Sequence, residues 1–217
     1  MTPTFPSASG PAAPPADPLV LGLLASHGGS NLLAILTAIR AGRLPARAGV
    51  VISNNSDAGA LERARRFGVP ARHLSGRTHP DPEALDGAIL AALREHGVTL
   101  VVLAGYMRKL GPRVLAAYRG RVLNIHPALL PAFGGQGMYG LRVHQAVLAA
   151  GAAESGCTVH LVTEAYDQGP ILAQARVPVL PGDTPESLQA RVLEQEHRLY
   201  AETLRRIAAG ELALPKG

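Results

Sequence analysis

Short apolar runs at residues 19–24, 48–52, 100–104 and 121–125 alternate with amphipathic stretches at 31–41, 58–67, 83–96 and from Pro112 onward. Runs that are apolar at successive positions, rather than at every second one, belong to strands covered on both faces. Their alternation with helical periodicity predicts an α/β fold: a mostly parallel twisted sheet flanked by helices, Rossmann-like in its N-terminal half. Beyond His144 the rhythm changes. Residues 158–163 and 171–179 both read as strands, and the segment Tyr166-Asp167-Gln168-Gly169-Pro170 between them is too short for a parallel crossover. This predicts a C-terminal antiparallel extension. A long final helix over about 184–209 is announced by Asp183-Thr184-Pro185-Glu186, which supplies a cap, a first-turn proline and a first-turn acid.

Composition narrows this picture. A chain of 217 residues with 47% apolar content can bury one substantial core, and 19–217 reads as one domain. Residues 1–18 are rich in proline and alanine and carry neither Lys nor Arg nor an apolar stretch, so a disordered tail is expected rather than a secretory signal. No apolar run approaches the roughly 18–20 residues of a membrane span. The single cysteine, Cys157, rules out an intrachain disulfide and a multi-cysteine metal site, and suits the reducing cytoplasm. Cys157 also falls within a strand, where it reads as a small buried hydrophobe rather than a nucleophile. None of the eight histidines shows His-x-x-x-His spacing, and no bound metal is expected. The formal charge of +5 comes from scattered Lys and Arg with few aromatics, which fits anionic small molecules better than nucleic acid.

Ligands of open α/β sheets bind beyond the carboxyl ends of the strands, and three polar groups fall there. His27-Gly28-Gly29-Ser30-Asn31 follows the first strand and opens the first helix, where glycines and free N–H groups suit a phosphate. The same residues would also serve as a tight turn with an N-cap. Asn124 and His126 lie two apart at a strand end and project to one side. An amide can hydrogen-bond a developing oxyanion and an imidazole can exchange protons near neutrality, although both residue types also satisfy backbone groups at strand ends. Asp167, before Gly169-Pro170, is either a turn residue or a carboxylate that holds an imidazolium charged. Glu196 projects from the apolar face of the final helix, where a carboxylate needs a partner.

The octapeptide Asn124-Ile125-His126-Pro127-Ala128-Leu129-Leu130-Pro131 resembles the signature of the formyltetrahydrofolate-using formyltransferases. Within that group the chain looks most like the phosphoribosylglycinamide formyltransferase family. The resemblance runs from about residue 19 to 212 and includes Leu61-Glu62-Arg63-Ala64, Leu103-Ala104-Gly105-Tyr106-Met107-Arg108, Val159-His160-Leu161-Val162-Thr163, Asp167-Gln168-Gly169-Pro170 and Gln195-Glu196-His197. It implies a formyl group passed from 10-formyltetrahydrofolate to the amine of glycinamide ribonucleotide in purine synthesis. Asn124, His126 and Asp167 would be catalytic, with Asp167 keeping His126 charged. Gly29, Ser30 and Asn31 would hold the ribonucleotide phosphate, and Glu196 its ribose. Met107, Arg108, Lys109, Leu110 and Asn124, together with the loop Thr163, Glu164, Ala165, Tyr166 and Asp167, would hold the folate. The partners implied are these small molecules alone, with the protein a monomer or homodimer.

Two departures stand out. Pro82 occupies the place of an arginine that commonly contacts folate in the family, and residues 133–144 form a longer segment whose four glycines suggest a mobile loop ending at His144. Formyltetrahydrofolate hydrolase shares the Asn-x-His signature but is expected to carry an extra N-terminal domain that the tail cannot supply. Methionyl-tRNA formyltransferase would need more chain after the last helix. A non-catalytic nucleotide-binding module would have no use for Asn124, His126 and Asp167 together.

Overall fold

The structure, a computed structural model, describes residues 3–5 and 18–215. In chain order its elements are β1 (Leu19–Leu24), α1 (Ser30–Arg40), β2 (Ala46–Ser53), α2 (Gly59–Arg66), β3 (Ala71–His73), α3 (Pro82–Glu95), β4 (Leu100–Leu103), α4 (Pro112–Ala117), β5 (Val122–His126), α5 (Leu141–Ala149), β6 (Glu154–Leu161), β7 (Ile171–Pro178) and α6 (Pro185–Ala208). One seven-stranded sheet runs in the order β3-β2-β1-β4-β5-β6-β7. The first five strands are parallel, and β6 and β7 are antiparallel, as the short connection between the last two strands requires.

Helices cover both faces. Leu32, Ile35 and Leu36 of α1, Leu61 of α2, Val147 of α5 and Leu188, Val192 and Leu199 of α6 join one apolar layer. Ile89 and Leu93 of α3 and Val114 of α4 join the other. Strands β1 and β4 are buried along their whole length, which explains their unbroken apolar sequence. From β1 the chain passes to β2 and β3 on one side and then returns to β4 on the other. The loops after β1 and β4 therefore diverge and open a crevice at the carboxyl ends.

Two elements escape the sequence pattern. β3 is three residues, Ala-Arg-His, at the sheet edge, and has no apolar run to reveal it. The glycine-rich segment is shorter than expected, because α5 begins at Leu141, after Gly140 at φ 56°, and buries Val143, His144 and Val147. His144 thus sits on a helix rather than a loop. Of the stretch read as a disordered tail, Thr4 pairs with the free edge of β7: its N–H donates to the Gln174 carbonyl at 2.8 Å and its carbonyl accepts from the Gln174 N–H at 2.9 Å. Phe5 lies 3.8 Å below the Arg206 guanidinium. An edge strand has backbone groups to satisfy and Phe5 has apolar surface to cover, which orders this piece. The remainder of that stretch lies outside the described residues.

Three polar contacts fix elements that carry the site. The Tyr200 hydroxyl, fully buried on α6, lies 3.2 Å from the Leu103 carbonyl and 3.1 Å from that of Leu123, tying α6 to β4 and β5 just before they end. Thr184 and Ser187 form a capping box that starts α6. Buried Asp86 of α3 accepts from the N–H of Arg113 at 2.7 Å and of Val114 at 3.2 Å, and so caps α4 across the inter-helix gap. Gly111 has to be glycine there, since a Cβ would lie 2.2 Å from the Asp86 carboxyl carbon. Removing the carboxylate in Asp86→Ala strands two N–H groups, so a loss of about 2 kcal/mol is expected in denaturant unfolding. An unchanged midpoint would mean that water caps α4 equally well.

Candidate active site

Asn124 and His126 project together from the end of β5, as their spacing requires. The antiparallel register of β6 sets His160 opposite Asn124 and Thr158 opposite His126. The Asn124 Nδ2 lies 3.1 Å from His160 Nε2, and His160 Nδ1 lies 2.9 Å from the Leu161 carbonyl. A ring nitrogen that close to a carbonyl carries the proton, so His160 Nε2 accepts from the Asn124 amide and fixes its direction. The turn between β6 and β7 then brings in Asp167, held at φ 55° with its Oδ2 accepting from the Gly135 N–H at 2.9 Å. Its two oxygens lie 3.5 Å from His126 Nδ1 and 3.5 Å from His160 Nε2. The carboxylate therefore stands between two imidazoles.

Burial raises the Asp167 carboxyl, but its hydrogen bond from the Gly135 N–H and the neighbouring imidazoles outweigh this and leave it below the usual range. It is an anion at neutral pH. His126 departs from expectation. Burial depresses its pKa, and the opposing pull of Asp167 is too weak at 3.5 Å to reverse that. The resting imidazole is therefore neutral rather than held as an imidazolium. Its Nε2 lies 2.8 Å from the Phe133 carbonyl and carries the proton, leaving the Nδ1 lone pair toward Asp167. Protonation at Nδ1 would turn this contact into an ion pair.

His144 is 1% exposed, with Nδ1 meeting no partner among the described residues, and its pKa is pushed down to about 4 by burial and by the nearby His126. Cys157 is fully buried on β6, and burial pushes its thiol up, as befits a packing residue.

At the other end of the crevice, Gly29 takes φ 71° before α1, and a Cβ there would lie 2.9 Å from that of Ala60. Asn31, in the first turn of α1, donates from Nδ2 to Glu196 Oε2 at 2.7 Å, while among the described residues its Oδ1 meets no donor. Glu196 is buried, and that burial raises its carboxyl pKa against the Asn31 hydrogen bond. The partner that Glu196 needed on its apolar face is Asn31.

A cavity of about 1010 Å³ joins these parts, and its wall includes Gly29, Ser30, Asn31 and Glu196, the group Asn124, His126 and Asp167, and Met107, Arg108, Lys109 and Tyr166. Four expected folate contacts are not on that wall. Leu110 is 5% exposed and packs in the α3–α4 layer with Val114, because the chain there already turns inward to start α4. Thr163, Glu164 and Ala165 form the outer arm of the β6–β7 turn, closed by a Thr163 hydroxyl bond to the Ala165 carbonyl at 3.2 Å. Pro82 is the first residue of α3, where Asp81 caps the following N–H groups at 3.4 and 2.9 Å and no side chain is asked of it. Sequence reading missed His160, whose role depends on strand register, and Arg63, Tyr139, Arg142 and Gln189, which reach the same wall. Among the described residues no cluster of three His, Cys, Asp or Glu could hold a metal ion, and no helix is long and apolar enough to cross a membrane.

The Formyl transferase family matches residues 21–204. Phosphoribosylglycinamide formyltransferase of Escherichia coli (strain K12) is 39% identical over 192 residues, which is 88% of this chain and 88% of that one. The chloroplastic enzyme of that name from Arabidopsis thaliana is 43% identical over 185 residues, 85% of this chain; the chain spans only 63% of that relative's length. Among solved structures, glycinamide ribonucleotide transformylase 1 from Symbiobacterium toebii superposes with a TM-score of 0.85 at 48% identity, covering 91% of each chain.

Proposed function

This chain belongs to the formyl transferase family, and from that membership and the site's geometry we propose that it transfers the formyl group of 10-formyltetrahydrofolate to the amine of glycinamide ribonucleotide in purine synthesis. The observation that carries the reading is the placing of the Asn124 amide and the His126 imidazole together at the end of β5, with the Asp167 carboxylate 3.5 Å from His126 Nδ1. The ribonucleotide occupies the Gly29–Glu196 end and the folate the Met107–Lys109 wall, so that amine and formyl carbon meet beside β5. Both partners are small molecules, and the site asks for no metal.

As the neutral amine attacks, a C–N bond forms and the formyl oxygen takes up negative charge. The second N–H of the Asn124 amide, left over from its bond to His160, stabilises that oxyanion. The new nitrogen gives its proton to His126 Nδ1, and Asp167 stabilises the imidazolium so formed. The same proton then passes to the folate nitrogen as its bond to carbon breaks and the carbonyl re-forms. A neutral resting histidine suits this order of events, since it must first accept.

The test follows loss of the formyl group from a 10-formylfolate by absorbance, with glycinamide ribonucleotide present and absent. Turnover only with the ribonucleotide is expected. Equal turnover without it would make water the acceptor and the protein a formyltetrahydrofolate hydrolase, and no turnover in either case would overturn the catalytic assignment.

A further inference from the structure

We propose that Arg63 of α2 fixes the anion-binding loop after β1 and itself holds the substrate phosphate, an inference that rests on the ribonucleotide reading above. Two carbonyls of the loop are drawn to α2. The His27 carbonyl accepts from the Ala60 N–H at 3.1 Å, and the Gly28 carbonyl accepts from Arg63 Nε at 2.8 Å. In a trans peptide the N–H points opposite to its C=O, so anchoring these carbonyls turns the Gly28 and Gly29 N–H groups away from α2. Among the described residues, no acceptor meets the N–H groups of Gly29, Ser30, Asn31 or Leu32, and α1 begins with no side-chain cap. The loop thus offers a row of free donors at a helix start.

Two further observations point to a ligand there. Asn31 is 6% exposed and, among the described residues, its buried Oδ1 lacks a donor, which suits a ribose hydroxyl beside a phosphate. Arg63 is half-buried and lines the cavity together with Gly28, Gly29 and Ser30. Its Nε bond uses one of five donors. Its neighbour Glu62 is paired with Arg66, so among the described residues no carboxylate neutralises Arg63. A guanidinium locked by Nε, with its terminal N–H groups meeting no acceptor among the described residues, is oriented for charge-assisted bonds to phosphate oxygens. The two tasks are linked, because the bond that aims the loop also aims the charge.

The experiment compares wild type, Arg63→Gln and Arg63→Lys on glycinamide ribonucleotide and on the same glycinamide riboside lacking the phosphate, with inorganic phosphate as a competitive inhibitor. For Arg63→Gln the KM for the ribonucleotide is expected to rise about 10- to 100-fold, and phosphate inhibition to weaken by a similar factor. The kcat, the KM for formylfolate and the kcat/KM for the riboside should stay within about threefold. Arg63→Lys, which keeps the charge without the fork, should recover part of the loss. Equal losses on ribonucleotide and riboside would mean a purely structural role, and no loss on either would overturn the proposal. Wild-type protein inactive on both compounds, yet binding inorganic phosphate in an Arg63-dependent way by calorimetry, would remove the formyl-transfer reading and leave Arg63 as the anion ligand.

Discussion

His126→Ala is expected to lower kcat by about 10²- to 10⁴-fold with little change in either KM, because on the proposed mechanism the variant removes the group that relays a proton but leaves the rest of the cavity wall intact. Circular dichroism and a thermal melt show whether the protein is folded, and single-turnover kinetics place the loss in the chemical step. Near-normal kcat in folded protein would sink the assignment. The companion variant, Asp167→Asn, tests the pH behaviour. Burial sets the His126 pKa below its ordinary value while Asp167 pulls it upward. On the proposed mechanism neutral His126 is the working form, so activity is expected to fall as pH drops through this pKa. Removing the anion lowers the pKa further, and the acid limb of kcat/KM moves to lower pH. At the same time the plateau drops, since the imidazolium formed in the transition state has lost its partner. A limb that moves upward, or an unchanged plateau, would show that Asp167 does not act through His126.

Gly169→Ala is expected to be the most destabilising methyl addition at any glycine among the described residues. A Cβ at Gly169 would lie 1.7 Å from the Leu161 carbonyl oxygen and 2.7 Å from its carbon, and these are backbone atoms that no rotamer change can move aside. The overlap falls where β6 and β7 close their turn, beside the bond from the Leu161 N–H to the Pro170 carbonyl at 2.9 Å. Separating the strands there costs about 3 to 5 kcal/mol, or on the order of 10 °C in Tm for a chain of this size. Asp167 rides on the same turn, so activity falls together with stability. Gly76→Ala, whose Cβ would meet nothing within 4 Å among the described residues, serves as the control. A Gly169→Ala protein melting like that control would show that the turn can shift at little cost.

The motif Asp167-Gln168-Gly169-Pro170 shows how far sequence carried the reading. Its composition marks a turn, and its length forces the flanking strands antiparallel. That Gly169 presses on a carbonyl of β6, or that Asp167 lands between two histidines, depends on where that turn folds back. The same division applies at β5. Spacing alone set Asn124 and His126 on one side of a strand, whereas His160 entered the site only through the pairing of β6 with β5, 36 residues away in the chain. His144 illustrates the opposite error: four glycines suggested a loop up to it, yet three apolar or buried positions at helical spacing draw it into α5.

What the sequence determined by itself is therefore what local rules govern. Alternating apolar runs and amphipathic stretches gave the order of most elements, buried parallel strands gave the sheet, and the Asn-x-His-Pro signature gave the chemistry its first residues. Tertiary structure decided the rest, because the remaining properties are sums over neighbours distant in the chain. The charge of His126 is the sharpest instance. An adjacent carboxylate favours imidazolium, and that much can be argued from residue types. The depth of burial and the 3.5 Å separation, which together leave the ring neutral, exist only once β5, β6 and the turn carrying Asp167 have packed together.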